Sequence, residues 1–197
     1  MDSQTIDTYN KLAQEYDLET VDFWQGFPKS FFDMFIEKSG KRILNIGSGP
    51  GRDGLVLKSA GKDVVCLDAS EEMVKMSAER GLESVVGSFN DLPFSKESFD
   101  AVWSYTALLH IPKDSIAIPL AQISSVLKPG GIFGLGLIEG DTEGYRESSG
   151  VHLPRWFSYY EKNEIENLVL KQGFNLLYFE SFKPGSRKYL NFIFRKR

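Results

Sequence analysis

Cysteine and histidine are scarce in this sequence, with one Cys and two His among 197 residues. One thiol excludes an internal disulfide, and Cys66 lies inside the apolar run Val64-Val-Cys-Leu67, where a buried core thiol is expected. These three side chains are far apart in the chain and lack metal-ligand spacing, so no metal is expected. Basic charge is short as well. Lys and Arg number 23 against 27 Asp and Glu, a net charge of -4, which gives no basic field for nucleic acid. Arg195, Lys196 and Arg197 do cluster, and a run of that kind at the chain's end reads as a solvated terminus. No apolar run approaches membrane-spanning length, and the opening Met-Asp-Ser-Gln-Thr has no apolar signal core. The expectation is a cytoplasmic protein with no membrane and no nucleic acid among its partners, monomeric or homodimeric. Repeats and low-complexity stretches are missing too. A chain of 197 residues with 42% hydrophobic content suits one domain with a proper core.

What the chain does have is glycine concentrated in one place. Lys41 to Gly54 reads Lys-Arg-Ile-Leu-Asn-Ile-Gly-Ser-Gly-Pro-Gly-Arg-Asp-Gly. Ile43, Leu44 and Ile46 form the short apolar run of a buried parallel strand. Gly47, Gly49, Gly51 and Gly54 follow, and then a helical apolar pattern through Leu55, Val56 and Ala60. Strand, glycine turn and helix N-terminus together make a cofactor-binding corner. The glycines let the backbone approach a ligand, and the first helix amides face anything negative.

Two cofactor classes compete for that corner. Gly49, Gly51 and Gly54 satisfy G-x-G-x-x-G, and Asp68 follows Gly49 by 19 residues, where a dinucleotide fingerprint wants an acid. The register speaks against a dinucleotide, because Gly47 closes the strand and Gly49 comes two residues later. Read from Gly47, Ile-Leu-Asn-Ile-Gly-Ser-Gly-Pro-Gly resembles motif I of the class I S-adenosylmethionine-dependent methyltransferases. That family usually has Asp at the position of Asn45. Further stretches resemble it too: Tyr9-x-x-x-Ala13-x-x-Tyr16-Asp17, Gly87-Ser-Phe-Asn-Asp-Leu-Pro-Phe94, Ser98-Phe-Asp-Ala-Val-Trp-Ser104 and Leu127-Lys-Pro-Gly-Gly131. Ser88 stands where the family has an acid for the adenine amino group, a second departure.

The resemblance implies a doubly wound α/β Rossmann-like sheet of seven strands in the order 3-2-1-4-5-7-6, strand 7 antiparallel. Residues 1–39 would be N-terminal lid helices and residues 40–197 the cofactor-binding core. It implies S-adenosylmethionine as cofactor and S-adenosylhomocysteine as product. The implied cofactor contacts are Tyr16, Asn45, Gly47, Ser48, Gly49, Gly51, Asp68, Ala69, Met73, Gly87, Ser88, Phe89 and Ser104. Asp68, ending a second apolar strand, would accept the ribose hydroxyls, and Met73 would lie over the adenine. Tyr9, Tyr105 and His110 are the candidates for positioning the reaction. The family leaves open whether a His at this place meets the acceptor or is structural, and whether the tyrosines cover the sulfonium or only pack.

Element by element, residues 4–17 read as one helix with Ile6, Tyr9, Leu12, Ala13 and Tyr16 on a stripe. Ser70 reads as an N-cap, and so does Ser115. Residues 139–156 show neither a helical nor a strand pattern, and a loop that long is functional or disordered. It carries Glu139, Asp141, Glu143, Tyr145, Arg146, Glu147, His152 and Arg155. A small-molecule acceptor is expected in a pocket walled by Tyr9, Tyr16, Trp24, Tyr105, His110, Glu139 and Tyr145, since aromatic walls enclose a small ligand. The alternatives are a cofactor-binding module without turnover, given uncharged Asn45 and Ser88, and an NAD(P)-binding oxidoreductase.

Overall fold

A computed structural model describes residues 2–22, 29–148 and 151–197. Phe23, Trp24 and Phe27, which the sequence places over core or pocket, lie outside the described residues. The centre is β1 (Arg42–Ile46), whose residues from Ile43 onward are buried on both faces. That is why it reads as an apolar run without alternation. It pairs in parallel with β2 (Asp63–Asp68) and β4 (Phe99–Tyr105). Outward from these lie β3 (Glu83–Val86) and β5 (Leu127–Ile138), also parallel. Beyond β5 come β9 (Tyr189–Lys196) and then β8 (Phe174–Phe182), each antiparallel to its neighbour. The sheet order is β3-β2-β1-β4-β5-β9-β8. This is the expected seven-stranded order with the reversed last strand inserted beside β5.

The numbering runs to nine because residues 139–156 are not a patternless loop, and here the expectation is corrected. Glu143–Ser148 (β6) and Val151–Ser158 (β7) form an antiparallel hairpin, with Glu143 opposite Ser158 and Tyr145 opposite Trp156. Pro154 and the buried Arg155 break the apolar alternation that normally announces such a strand.

Helices cover both sheet faces. On one side α3 (Lys29–Lys38) and α4 (Arg52–Ser59) bring Phe31, Phe35 and Leu57 against Ile43, Cys66 and Trp103. On the other, α6 (Ala117–Val126) and α7 (Lys162–Lys171) bury Leu120, Ile123, Ile165 and Val169 against Leu44, Val102 and Phe133. Between them in the chain, α5 (Glu71–Glu79) starts at the expected cap, where the Ser70 hydroxyl accepts from Met73 N at 3.2 Å. Ser115 caps nothing. Its hydroxyl donates to Asp114 Oδ1 at 2.8 Å, and α6 begins beyond it without a side-chain cap. The N-terminal helix is also two rather than one. Leu12, at φ -116° and ψ 26°, separates α1 (Ser3–Lys11) from α2 (Ala13–Glu19). No helix among the described residues is long and apolar enough to cross a membrane.

The hairpin and α1 hold each other. Trp156 N donates to Thr5 Oγ1 at 2.9 Å, and Thr8 Oγ1 donates to Pro154 O at 2.9 Å. A second fastening ties α2 to the glycine turn. Asp17 accepts from Arg52 Nη2 at 2.7 Å and from Arg80 Nη2 at 2.6 Å, while Arg80 Nη1 donates to Pro50 O at 2.6 Å. Burial works to raise the Asp17 pKa, but the Arg80 hydrogen bond and the two guanidinium charges bring it below the usual carboxylate value.

Candidate active site

The chain runs from β1 outward to β2 and β3, then returns to place β4 on the other side of β1. The crevice above the carboxyl ends of β1 and β4 is therefore a topological switch point, where open α/β sheets bind ligands. The glycine turn forms its floor. Gly47 and Gly49 have φ of +63° and +51°, a region that L side chains rarely adopt. A Cβ on Gly47 would collide with that of Ala107, whereas one on Gly49 would meet only Tyr16, at 3.9 Å. Gly49 is thus open toward the crevice.

Asp68, at the end of β2, stands beside this turn and is 8% exposed. Its Oδ2 accepts from Gly49 N at 2.9 Å and its Oδ1 from Ser70 N at 2.9 Å. Burial raises its pKa, against the pull of these backbone amides. A carboxylate has about four acceptor positions, so each oxygen keeps capacity for a ligand while it fixes the turn. Cap and candidate ligand are the same group here.

Two adjoining cavities open above this floor. The smaller, about 40 Å³, has Asp68, Met73, Phe89 and Ala107 in its wall. The larger, about 320 Å³, has Asp53, Leu109, Ile138, Arg155 and Phe157 in its wall. Tyr9, Tyr16, Gly47, Gly49, Tyr105, Thr106 and His110 line both. Thr106 holds φ at +50°, costly for a β-branched residue, at the point where the chain leaves β4 over the crevice.

Of the residues expected from the sequence, Tyr9, Tyr16, Gly47, Ser48, Gly49, Asp68, Met73, Phe89, Tyr105 and His110 all line one cavity or both. Asn45, Gly51, Ala69, Gly87, Ser88 and Ser104 do not. Asn45 is 1% exposed and shares its strand face with Ile43, its Nδ2 lying 4.0 Å from Cys66 Sγ. Gly51 starts α4 with its Cα toward Ser77 and Leu82, and Gly87 packs against Leu67. Ser88 makes a turn, its hydroxyl accepting from Asn90 N at 3.2 Å. Ser104 is buried within β4. Among the proposed walls, Glu139 instead accepts from Lys188 Nζ at 2.9 Å, and Tyr145 is exposed with its hydroxyl donating to Asp2 at 3.0 Å. Trp24 lies outside the described residues.

Asp53 and Arg155 are charged residues in the wall of the larger cavity, beside Glu19, Arg52 and Arg187. Asp53 sits in the first turn of α4, where acids are common for dipole reasons alone, and its Oδ2 accepts from Trp103 Nε1 at 2.7 Å. Arg155, on β7, is 4% exposed. Its Nη1 donates to the Tyr9 hydroxyl at 2.9 Å, and its guanidinium lies 5.1 Å from the Tyr9 ring centroid.

The Tyr9 hydroxyl in turn meets His110 Nε2 at 2.8 Å, and His110 Nδ1 lies 2.5 Å from Trp156 O. A carbonyl only accepts, so the proton is on Nδ1, and Nε2 accepts from Tyr9. Burial pushes the His110 pKa down to about 3, and the imidazole is neutral near pH 7. The Tyr9 and Tyr16 phenols are pushed up, chiefly by burial, and stay protonated. The arrangement is a directed chain of donors from Arg155 through Tyr9 to His110, with the imidazole oriented by the hairpin backbone.

Parallel strand, glycine turn, helix, and an acid ending the next strand at the switch point define a Rossmann-like cofactor-binding α/β protein. Residues 44–135 match the methyltransferase domain family. The chain is 31% identical over 174 residues to a probable pectin methyltransferase of Arabidopsis thaliana, covering 78% of this chain and 24% of that protein. Its fold superposes on a SAM-dependent methyltransferase structure from Methanosarcina mazei with a TM-score of 0.75 at 18% identity, covering 86% of this chain and 97% of that one. A further likeness is to Burkholderia thailandensis 1,6-didemethyltoxoflavin-N1-methyltransferase, solved with 1,6-didemethyltoxoflavin and S-adenosylhomocysteine (TM-score 0.75, 19% identity, 97% and 87% covered). Residues 44–135 thus carry the match to the methyltransferase domain family, and the fold is one shared with S-adenosylmethionine-dependent methyltransferase structures. The chain spans only 24%, 28% and 54% of the length of three curated relatives that it matches.

Proposed function

We propose that this chain binds S-adenosylmethionine along the crevice and methylates a small-molecule acceptor in the larger cavity. The observation that carries the reading is the buried Asp68 carboxylate, which closes the glycine turn and faces the smaller cavity together with Met73 and Phe89. Two acceptor oxygens suit a ribose diol, and the flanking apolar side chains suit a purine. When bound, the cofactor supplies a methyl group already activated by its sulfonium. The protein's share is then positioning and exclusion of water.

Tyr9 and Tyr16, edge to face at 5.3 Å, offer π electrons to a cation at the junction of the two cavities. Asp53 offers a carboxylate to the cofactor's ammonium group, which accounts for an uncharged Asn45 directed into the core. His110 orients Tyr9, since its Nε2 is already engaged and burial opposes its protonation. Tyr9 in turn presents its hydroxyl oxygen beside the site of transfer.

Turnover decides between an enzyme and a binding module. With S-adenosylmethionine and a small-molecule extract, S-adenosylhomocysteine is expected to accumulate only when protein and extract are both present. Tight cofactor binding with no extract-dependent product would mean a module without catalysis.

A further inference from the structure

We infer that Arg52 binds the carboxylate at the methionine end of the cofactor and that Asp17, on α2, holds the guanidinium in place for it. This rests on the methyltransferase reading and adds the group that recognises the cofactor's amino-acid end. With the ribose on Asp68 and the purine beside Met73 and Phe89, the methionine end passes Tyr9 and Tyr16 into the larger cavity. A short chain joins it to the sugar, so it stays along the glycine turn. Ser48, Gly49, Pro50, Arg52 and Asp53 line the cavity there. Arg52 and Asp53 are consecutive residues at the start of α4 and carry opposite charges. An amino-acid zwitterion calls for such a pair. With Asp53 assigned to the ammonium, Arg52 serves the carboxylate, and the N-terminus of α4 favours an anion at the same place.

Arg52 has both a donor and a charge to give. Asp17 Oδ1 accepts from its Nε at 3.1 Å and from its Nη2 at 2.7 Å, and Asp17 O accepts from Nη2 too. Nη1 makes no hydrogen bond among the described residues. A guanidinium carries its donors in a fixed fork, so a group held on one side by Asp17 can still meet a second carboxylate. The Asp17 carboxylate is shared, because its Oδ2 accepts from Arg80 Nη2 at 2.6 Å. Two guanidiniums on one carboxylate leave the group with one positive charge. The Asp17, Arg52 and Arg80 side chains are 14%, 20% and 28% exposed, so water screens that charge only in part. Arg80 Nη1 is spent on Pro50 O, which ties the same group to the glycine turn.

Asp17 directly follows Tyr16 on α2. The helix that sets an aromatic ring at the sulfonium therefore also sets the arginine at the carboxylate. Two other guanidiniums line the larger cavity, and both belong to other elements: Arg155 to the hairpin and Arg187 to the segment before β9. Arg52 follows the glycine turn directly, within reach of a tail tethered to the ribose on Asp68.

The test is titration calorimetry of the whole chain with two ligands. One is S-adenosylhomocysteine. The other is the same thioether with hydrogen in place of its carboxylate. The wild-type protein is expected to bind S-adenosylhomocysteine about tenfold or more tightly than the decarboxylated analogue. Arg52→Met should abolish that preference by weakening S-adenosylhomocysteine alone, with the analogue unchanged within about threefold. Should Arg52→Met not fold, Arg52→Gln, which keeps a donor for Asp17, takes its place with the same expectation. Asp17→Asn breaks the fastening but leaves the guanidinium, so it should weaken both ligands by similar factors and keep the preference. The inference is overturned by equal binding of the two ligands to the wild-type protein, or by a preference that survives loss of Arg52. It is overturned as well if the Arg52 variant weakens both ligands alike, since Arg52 would then only fasten α2. Failure of the methyltransferase reading looks different, because neither adenosyl ligand would then bind the wild-type protein.

Discussion

Asp68→Ala is expected to lower S-adenosylmethionine affinity by about a hundredfold or more. Each hydrogen bond to a charged acceptor contributes about 1.5–3 kcal/mol, and two ribose hydroxyls lose theirs together. The substitution also reaches the turn itself. Gly49 N and Ser70 N, both 2.9 Å from the carboxylate, would lose their acceptor in a buried place. Gly49 is the glycine that stands open to the crevice, so the floor of the site would shift as well. Binding should be measured well below the melting temperature, with circular dichroism to verify the fold. A variant that folds and binds cofactor within a factor of about two of wild type would reduce Asp68 to a cap of the turn.

Gly47→Ala should have the largest effect on stability. The residue holds φ +63°, and a left-handed alanine costs about 1–2 kcal/mol. The new methyl group would also strike Ala107 Cβ, and relieving such overpacking costs about 1–3 kcal/mol. The sum, roughly 2–5 kcal/mol, corresponds to a fall in melting temperature of about 4–20 °C for a chain of this size. The pair supplies its own control. Ala107→Gly in the same chain removes the collision but not the backbone strain, so the double variant should recover only the packing share. Full recovery would show that the left-handed conformation costs nothing there. No recovery would show that Ala107 is not what the methyl group meets.

The residues that were legible in the sequence are those whose role is written in backbone conformation or burial. β1 reads as a strand because Ile43, Leu44 and Ile46 are buried, and the turn reads as glycine because its φ values are positive. Asp68 reads as a site residue because it ends a strand whose carboxyl edge must face the crevice. Side-chain direction was harder to read. Asn45 occupies the family's acidic position, yet with a period of two it shares the face of Ile43 and meets Cys66 rather than the cavity. The hairpin was hidden because its buried face includes Arg155, and an arginine in a strand reads as solvent-facing. The break at Leu12 was hidden because an apolar stripe continues through it. The tertiary fastenings of Thr8 to the hairpin and of Asp17 to Arg52 and Arg80 hold the two segments on either side of that break.

The central claim is that the glycine turn and Asp68 hold an adenosine-linked methionine rather than a dinucleotide. Titration calorimetry of the whole chain with S-adenosylhomocysteine, and separately with NAD and NADP in both redox states, tests it most directly. The account predicts saturable, one-to-one binding of S-adenosylhomocysteine that Asp68→Ala weakens by about a hundredfold, and at least about a hundredfold weaker binding of every dinucleotide. Equal or tighter binding of a dinucleotide would contradict it.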